Sequence, residues 1–177
     1  ATPNLCGIVV LIRQYLKEEY PDATVKELSI MANQLLMSTS NIILNEQGNP
    51  YAVRKQGAGL ASLFNAVNTK AYLTVDGIDR SKLELKDDPN RTGVYEMEFN
   101  LVNLSNETLN YRLSIVGMTE SVSTSDEEFV AEKSQLLTDT FKAEIIKNGT
   151  IDNNVVTVNG NDVCKIKVTY TLTKKKK

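Results

Sequence analysis

A chain of 177 residues, 41% hydrophobic and 24% charged, has room for one large or two small domains and the make-up of an ordinary globular protein. A formal net charge of −2 gives no broad basic surface for nucleic acid or an anionic membrane, and the only basic run, Lys174–Lys177, reads as a solvated tail. With no histidine anywhere, neither a Ser-His-Asp nor a Cys-His catalytic site can be assembled from this chain alone, and histidine-ligated zinc is excluded.

Cys6 and Cys164 are too far apart in sequence to form a disulfide framework or a metal-ligand spacing. Each falls on an apolar pattern, which favours two buried free thiols. The longest apolar run, Leu5 to Ile12, is too short to span a bilayer. No signal peptide opens the sequence and its first residue is not methionine, so it reads as excised from something longer.

The opening Ala1-Thr2-Pro3-Asn4 is a helix entry, with Thr2 able to cap the first turn and Pro3 suited to a position that needs no N–H. Leu5 to Ile12 is apolar on every side, which predicts a helix buried all round; after Arg13 it turns amphipathic, and Pro21 stops it. Thr24-Val25-Lys26-Glu27 matches a capping box. Val25, Leu28, Ala32, Leu35 and Leu36 then recur at helical spacing, and this second helix should end between Met37 and Ser40. Asn41–Leu44 reads as a short strand and Asn45–Pro50 as a turn cluster. Gln56-Gly57-Ala58-Gly59-Leu60 leads into a third, short helix with Leu60, Leu63, Phe64 and Val67 as its buried face. Gly57 and Gly59 suit a tight structural turn or a close backbone approach; a phosphate-binding loop would need a preceding strand and a longer motif.

Near Asn68–Ala71 the pattern changes from period 3.6 to period 2, which places a domain boundary between residues 1–69 and 70–177. Ala71–Val75 and Lys82–Lys86 are candidate strands, with Asp87-Asp88-Pro89-Asn90 as a turn. Tyr95, Met97, Phe99 and Leu101 alternate with polar residues, and Leu109, Tyr111, Leu113 and Ile115 repeat the pattern. The turn Ser105-Asn106-Glu107 makes these two runs expected neighbours in an antiparallel pair. Ser121–Glu132 is polar and reads as a long loop. Phe141–Lys147 and Val155–Val158 are shorter strands joined through Asn148-Gly149, and Cys164, Ile166, Val168, Tyr170 and Leu172 point to one side of a last strand. Strands of this length and spacing suggest a sandwich of the immunoglobulin or fibronectin type III kind. The Cys…Trp…Cys signature of antibody domains is absent.

Several of these segments resemble the subtilisin-like serine proteases, whose catalytic serine lies in a Gly-Thr-Ser-Met-Ala-(Thr/Ala)-Pro-His segment opening a long buried helix. Ala1-Thr2-Pro3-Asn4-Leu5-Cys6-Gly7 matches the continuation of that segment, with Asn4 where histidine is usual and Gly7 where a small residue is kept for close packing. Tyr15-Leu16-Lys17 through Tyr20-Pro21 resembles the exit from that helix. Leu35–Ser40 resembles the family's Leu-Leu-x-(Ser/Thr)-(Ala/Thr) stretch, and Gln56–Leu60 the glycine turn before the last catalytic-domain helix. The β region resembles the fibronectin-III-like domain of large cell-envelope subtilases of the lactocepin and C5a-peptidase type.

The resemblance implies a mixed architecture: the α-helical C-terminal segment of a subtilisin-like α/β domain over 1–69, then an all-β fibronectin-III-like sandwich over 70–177, which can lack its last strand and leave an open sheet edge. It implies a fragment of an exported serine endopeptidase whose serine lies one methionine before Ala1, with Asp, His and the oxyanion Asn further upstream. No catalytic residue is then present; Ala1, Thr2 and Pro3 only position the start of the nucleophile-bearing helix, and the chain alone is inactive. Its partners would be the remainder of the catalytic domain and the parent's peptide or protein substrate, with no nucleic acid and no membrane span. The location would be extracellular or wall-associated, in a bacterium. A non-catalytic cell-surface structural or adhesion module is the competing reading.

No cofactor is identifiable. Subtilases often bind calcium, and Asp87-Asp88 or Asp126-Glu127-Glu128 offer oxygen ligands, but no EF-hand spacing occurs and solvated loop charge is the simpler reading. Four Asn-x-Ser/Thr sequons, at Asn90, Asn103, Asn106 and Asn148, carry little weight in a bacterial export product.

Overall fold

The computed structural model describes residues 2–124, 130–137 and 140–172. Helix α1 (Thr2–Glu19) ends where the Tyr20 N–H closes the last turn on the Leu16 carbonyl and Pro21 blocks another. Thr2 is itself helical, so it lies inside the first turn and does not cap it. Helix α2 (Val25–Ser38) starts on the expected capping box. The Thr24 hydroxyl accepts from the Glu27 N–H at 3.2 Å while the Glu27 carboxylate accepts from the Thr24 N–H at 2.8 Å.

The two helices and a third short one share a core of Ile12, Leu16, Leu28, Ala32, Leu35 and Ala66. Burying each of the larger side chains contributes about 1.5–3 kcal/mol. Ile8, Val9 and Tyr15 join its margin. Only this stripe of α1 is covered, however. Leu5, Val10 and Leu11 are 44%, 62% and 49% exposed, so the helix is not buried all round by this chain. Residues 5–12 carry apolar side chains through more than two turns, but one neighbouring helix layer can reach only one side of them. Cys6 is likewise exposed, against expectation, and a Cβ at Gly7 would meet nothing within 4 Å, so neither residue serves close packing here.

Between α2 and the sheets the chain is irregular. Asn41 and Leu44 form isolated bridges, to Leu60 and Pro50, in place of the expected strand. Helix α3 (Val53–Gln56) was not anticipated. Helix α4 (Leu63–Asn68) starts on the Ser62 hydroxyl, which accepts from the Asn65 N–H. Because Leu60 is held in the bridge to Asn41, the helix starts later than expected and its inner face becomes Leu63, Ala66 and Val67. Leu60 and Phe64 are left 62% and 74% exposed.

Strand β1 (Ala71–Thr74) opens the β region. Lys82–Lys86 forms no strand: Lys86 has φ 59°, which breaks an extended run, and no neighbouring strand lies beside it among the described residues. Strand β2 (Val94–Asn103) pairs with β1, but not with β3 (Leu109–Arg112). Asn103 explains the departure. It is 3% exposed, its Oδ1 accepts from the Ser105 N–H and hydroxyl, and its amide donates to the Glu107 and Asn159 carbonyls. The chain is thereby turned out of one sheet into the other, and the alternating residues of β2 and β3 meet the same core from opposite sides. The Asn103 sequon is buried as a consequence.

Strands β4 (Gly117–Thr124) and β5 (Val130–Leu137) form an antiparallel ladder from Gly117–Leu137 to Thr124–Val130, where a loop was expected; the Asp126–Glu128 acids lie outside the described residues. Strand β6 (Phe141–Lys147) leads through Asn148 (φ 50°) and Gly149 (φ 123°) into an unanticipated β7 (Thr150–Asp152). Asn153 and Asn154, both at positive φ, then make the tight hairpin to β8 (Val155–Val158). Strand β9 (Val163–Thr171) buries Cys164, Ile166, Val168 and Tyr170 on one face, as the alternation requires.

A four-stranded sheet in the order β1-β2-β9-β6 faces a three-stranded sheet β3-β8-β7 across a core built on Leu101, Val156, Val158, Cys164, Ile166 and Val168. This is a β-sandwich. Four strands over three is the immunoglobulin constant-type count, but here the last strand sits between β2 and β6, whereas in that layout the last strand belongs to the smaller sheet. On the outer surface of the larger sheet Lys165 reaches Glu98 and Asp76, and Lys167 reaches Glu96, exposed pairs that solvent screens.

If one stripe of α1 alone is packed, Ile12→Ala should destabilise the chain by about 2–5 kcal/mol, while Val10→Ala stays within about 0.5 kcal/mol. Equilibrium unfolding in urea checks the pair; equal losses at both sites would show that α1 is enclosed.

Candidate functional site

The residues singled out in the sequence fall at two separate places. Thr2 and Pro3 stand exposed in the first turn of α1, which carries no acidic side chain; Ala1 lies outside the described residues. The first turn therefore presents backbone and no acid, base or nucleophile of its own beyond the Thr2 hydroxyl.

Gly57 and Gly59 lie at the end of α3. Gly57 has φ 62° and its N–H donates to the Val53 carbonyl at 2.7 Å; the Gly59 N–H donates to the Gln56 carbonyl at 3.1 Å. Both amides are thus used inside the turn, which leaves this loop without the free N–H row that cradles a phosphate. Gly59 has φ 116°, and a Cβ there would lie 2.3 Å from the Asn41 carbonyl oxygen. That close approach allows the Asn41 N–H and Leu60 N–H to exchange bonds with each other's carbonyls at 2.9 and 2.7 Å. The Gln56 amide completes the clamp by accepting from the Ile43 N–H at 2.8 Å.

Among the described residues no cluster of three or more His, Cys, Asp or Glu could hold a metal ion. Asp88 is instead a turn residue. Its carboxylate accepts from the Gly93 N–H at 2.7 Å and the Thr92 N–H at 3.0 Å, and these bonds hold its carboxyl below the ordinary 3.8. Asp76 is lowered by the Asn100 amide, then by Lys165. Burial, and secondarily the Asp162 charge, pushes the Cys164 thiol up. The Asn148 sequon amide is engaged too, donating to Asp162 and to the Val163 carbonyl.

Two features were not visible in the sequence. One is the number of exposed apolar side chains outside α1 over the first 64 residues, among them Val25, Ile42, Val53 and Phe64. The other is a cleft of about 550 Å³ between the two sheets, floored by Phe99, Leu101, Ile166 and Val168 and walled by Leu73 and Ile115. Its volume is within the range of about 300–1,000 Å³ typical of ligand pockets. Neither has a signature in local sequence, because each depends on which sides of the elements remain uncovered after folding.

No protein-family model matches the chain. It is similar to C5a peptidase of Streptococcus pyogenes, 30% identical over 86 residues, and equally to C5a peptidase of serotype M18 of the same species. The matched stretch is 48% of this chain and 7–8% of those proteins, so the chain spans a small part of the curated relatives it matches. The likeness is a weak family hint toward a subtilisin-like protease. No helix among the described residues is long and apolar enough to cross a membrane.

Two measurements follow from these environments. One thiol, Cys6, should react with a chromogenic disulfide reagent in the native chain, and two after denaturation; two fast thiols without denaturant would contradict the burial of Cys164. Because the Asp88 carboxyl is lower in the folded chain than in the unfolded one, its contribution to stability is complete above the unfolded value near 3.8 and is lost as pH falls through the folded value. Asp88→Asn should therefore flatten the acid side of the stability curve below the unfolded value near 3.8. An unchanged acid limb would rule the Asp88 turn out as a contributor.

Proposed function

We propose that this chain is part of an exported subtilisin-like serine endopeptidase: the helical end of its catalytic domain, residues 1–69, followed by a fibronectin-III-like sandwich, residues 70–177. The 30% identity to C5a peptidase over 86 residues carries the reading. In the parent, a serine one methionine before Ala1 adds to the scissile carbonyl while an upstream histidine takes its proton, and an upstream aspartate orients that histidine. This chain supplies none of those groups. Ala1, Thr2 and Pro3 set where the nucleophile-bearing helix begins, and the N–H-rich end of that helix favours the developing oxyanion.

The uncovered apolar side of α1 supports the same assignment. Val10 and Leu11 lie away from the packed Ile12 and Leu16 stripe, Leu5 lies on that stripe but is left exposed near the start of the helix, and the remainder of the catalytic domain is the surface that would cover all three. The sandwich then stands beside the protease as a supporting module, in an extracellular or wall-associated bacterial protein. Calcium, on this reading, belongs to the parent.

The test begins with the coding sequence upstream of Ala1. The extended protein should cleave a peptide substrate and take up a fluorophosphonate on the serine two positions before Ala1, whereas the 177-residue chain hydrolyses nothing above buffer. Label on another residue, or hydrolysis by the short chain, would defeat the assignment. Val10→Asp should lower the thermal midpoint of the extended protein by several degrees, on the order of 1–3 kcal/mol, and leave the short chain almost unchanged.

A further inference from the structure

The two sheets do not cover each other completely. Four strands face three, and the place beside β3 in the smaller sheet, over β1 and β2 of the larger, is where the cleft opens. The segment bordering it is extended but unpaired. The Leu113 N–H donates back across the sheet to the Asn154 carbonyl at 2.7 Å, so the alternate N–H groups of Arg112 and Ser114 point away from β8. Among the described residues, Ser114, Ile115 and Val116 make no backbone hydrogen bond. Leu113 and Ile115 turn inward to the sandwich core, and Arg112 and Ser114 alternate to the outer side, exposed. Arg112 forms no ion pair among the described residues, and the cleft lining holds no carboxylate.

We propose that this cleft takes an extended peptide segment as an added strand beside β3. An apolar molecule without amides would fill the volume but leave the Arg112 and Ser114 N–H groups unmet; a strand meets both demands, with main-chain bonds to the edge and every second side chain lowered onto Phe99, Leu101 and Ile166. The outward side chain opposite Arg112 is a carboxylate, because a cross-strand pair of opposite charge satisfies a cation that has no ion-pair partner among the described residues. The ligand class is therefore an alternating apolar and polar segment with one acid on the polar side. The assignment uses the sandwich alone and stands whether or not the chain belongs to a protease.

The experiment uses the whole 177-residue chain and the peptide acetyl-Thr-Val-Glu-Val-Thr-Val-amide, followed by calorimetry and amide hydrogen exchange. Binding should slow exchange at Ser114, and methylation of alternate peptide nitrogens should abolish it. Arg112→Glu should weaken the peptide by up to about fivefold, and replacing the peptide's Glu by Lys should restore the affinity. This charge exchange separates a lost contact from a misfolded variant. No binding, equal binding of the N-methylated peptide, or binding of dodecanoate in its place with no exchange protection at Ser114 would each overturn the proposal.

Discussion

Strand β1 has its two faces in two different cores. Ala71 lies in the sandwich interior and Tyr72, next along, packs against the helices with Leu104. The strand is fastened to the end of α2 by hydroxyls as well as by packing. The Leu73 N–H donates to Ser38 Oγ at 2.9 Å, Ser81 Oγ lies 2.5 Å from the Leu73 carbonyl, and the two hydroxyls are 3.1 Å apart. A further exposed ion pair, Lys70 to Glu107 at 2.6 Å, ties the start of β1 to the turn between β2 and β3. What keeps β1 in place is that both of its faces are packed and its outer edge is bonded to a helix end.

That arrangement determines which surfaces remain open. Because α2 and α4 occupy one side of α1, its other side meets nothing among the described residues. Because α2 reaches β1 only at its last turn, the helices shelter the end of the inter-sheet cleft, at Ser38 and Thr39, and leave the edge of β3 free. The two uncovered surfaces differ in kind. The helix side offers apolar side chains and a fully bonded backbone, so it suits a packed protein surface. The cleft offers apolar side chains beside unpaired amides, so it suits an extended chain.

The features that were legible in the sequence are those fixed by near neighbours. The capping box at Thr24–Glu27 needs residues three apart and formed as expected. The inward set Cys164, Ile166, Val168 and Tyr170 needs only the period of a strand. The features that were not legible are those in which the local pattern has two solutions. Tyr95–Leu101 and Leu109–Ile115 would suit a hairpin as well as opposite sheets; the buried side chain of Asn103, bonded to residues 105, 107 and 159, selects the second. The polar stretch after Ser121 pairs as strand although its composition reads as loop, because ladder bonds between backbones do not require apolar side chains.

The sequence by itself determined that the helical part precedes the β part, the absence of any histidine-based site, and the capping box at Thr24, since each is set by residue identity or by spacing within a few positions. Only the tertiary structure decided that α1 is covered along one stripe, that β2 pairs with β9 and not with β3, that Cys6 is open while Cys164 is closed, and that a cleft with an unbonded edge lies between the sheets. Those are matters of which surfaces meet. An apolar run states that a surface must be kept from water, and the pairing of elements distant along the chain settles which surface does the covering and which is left for a partner.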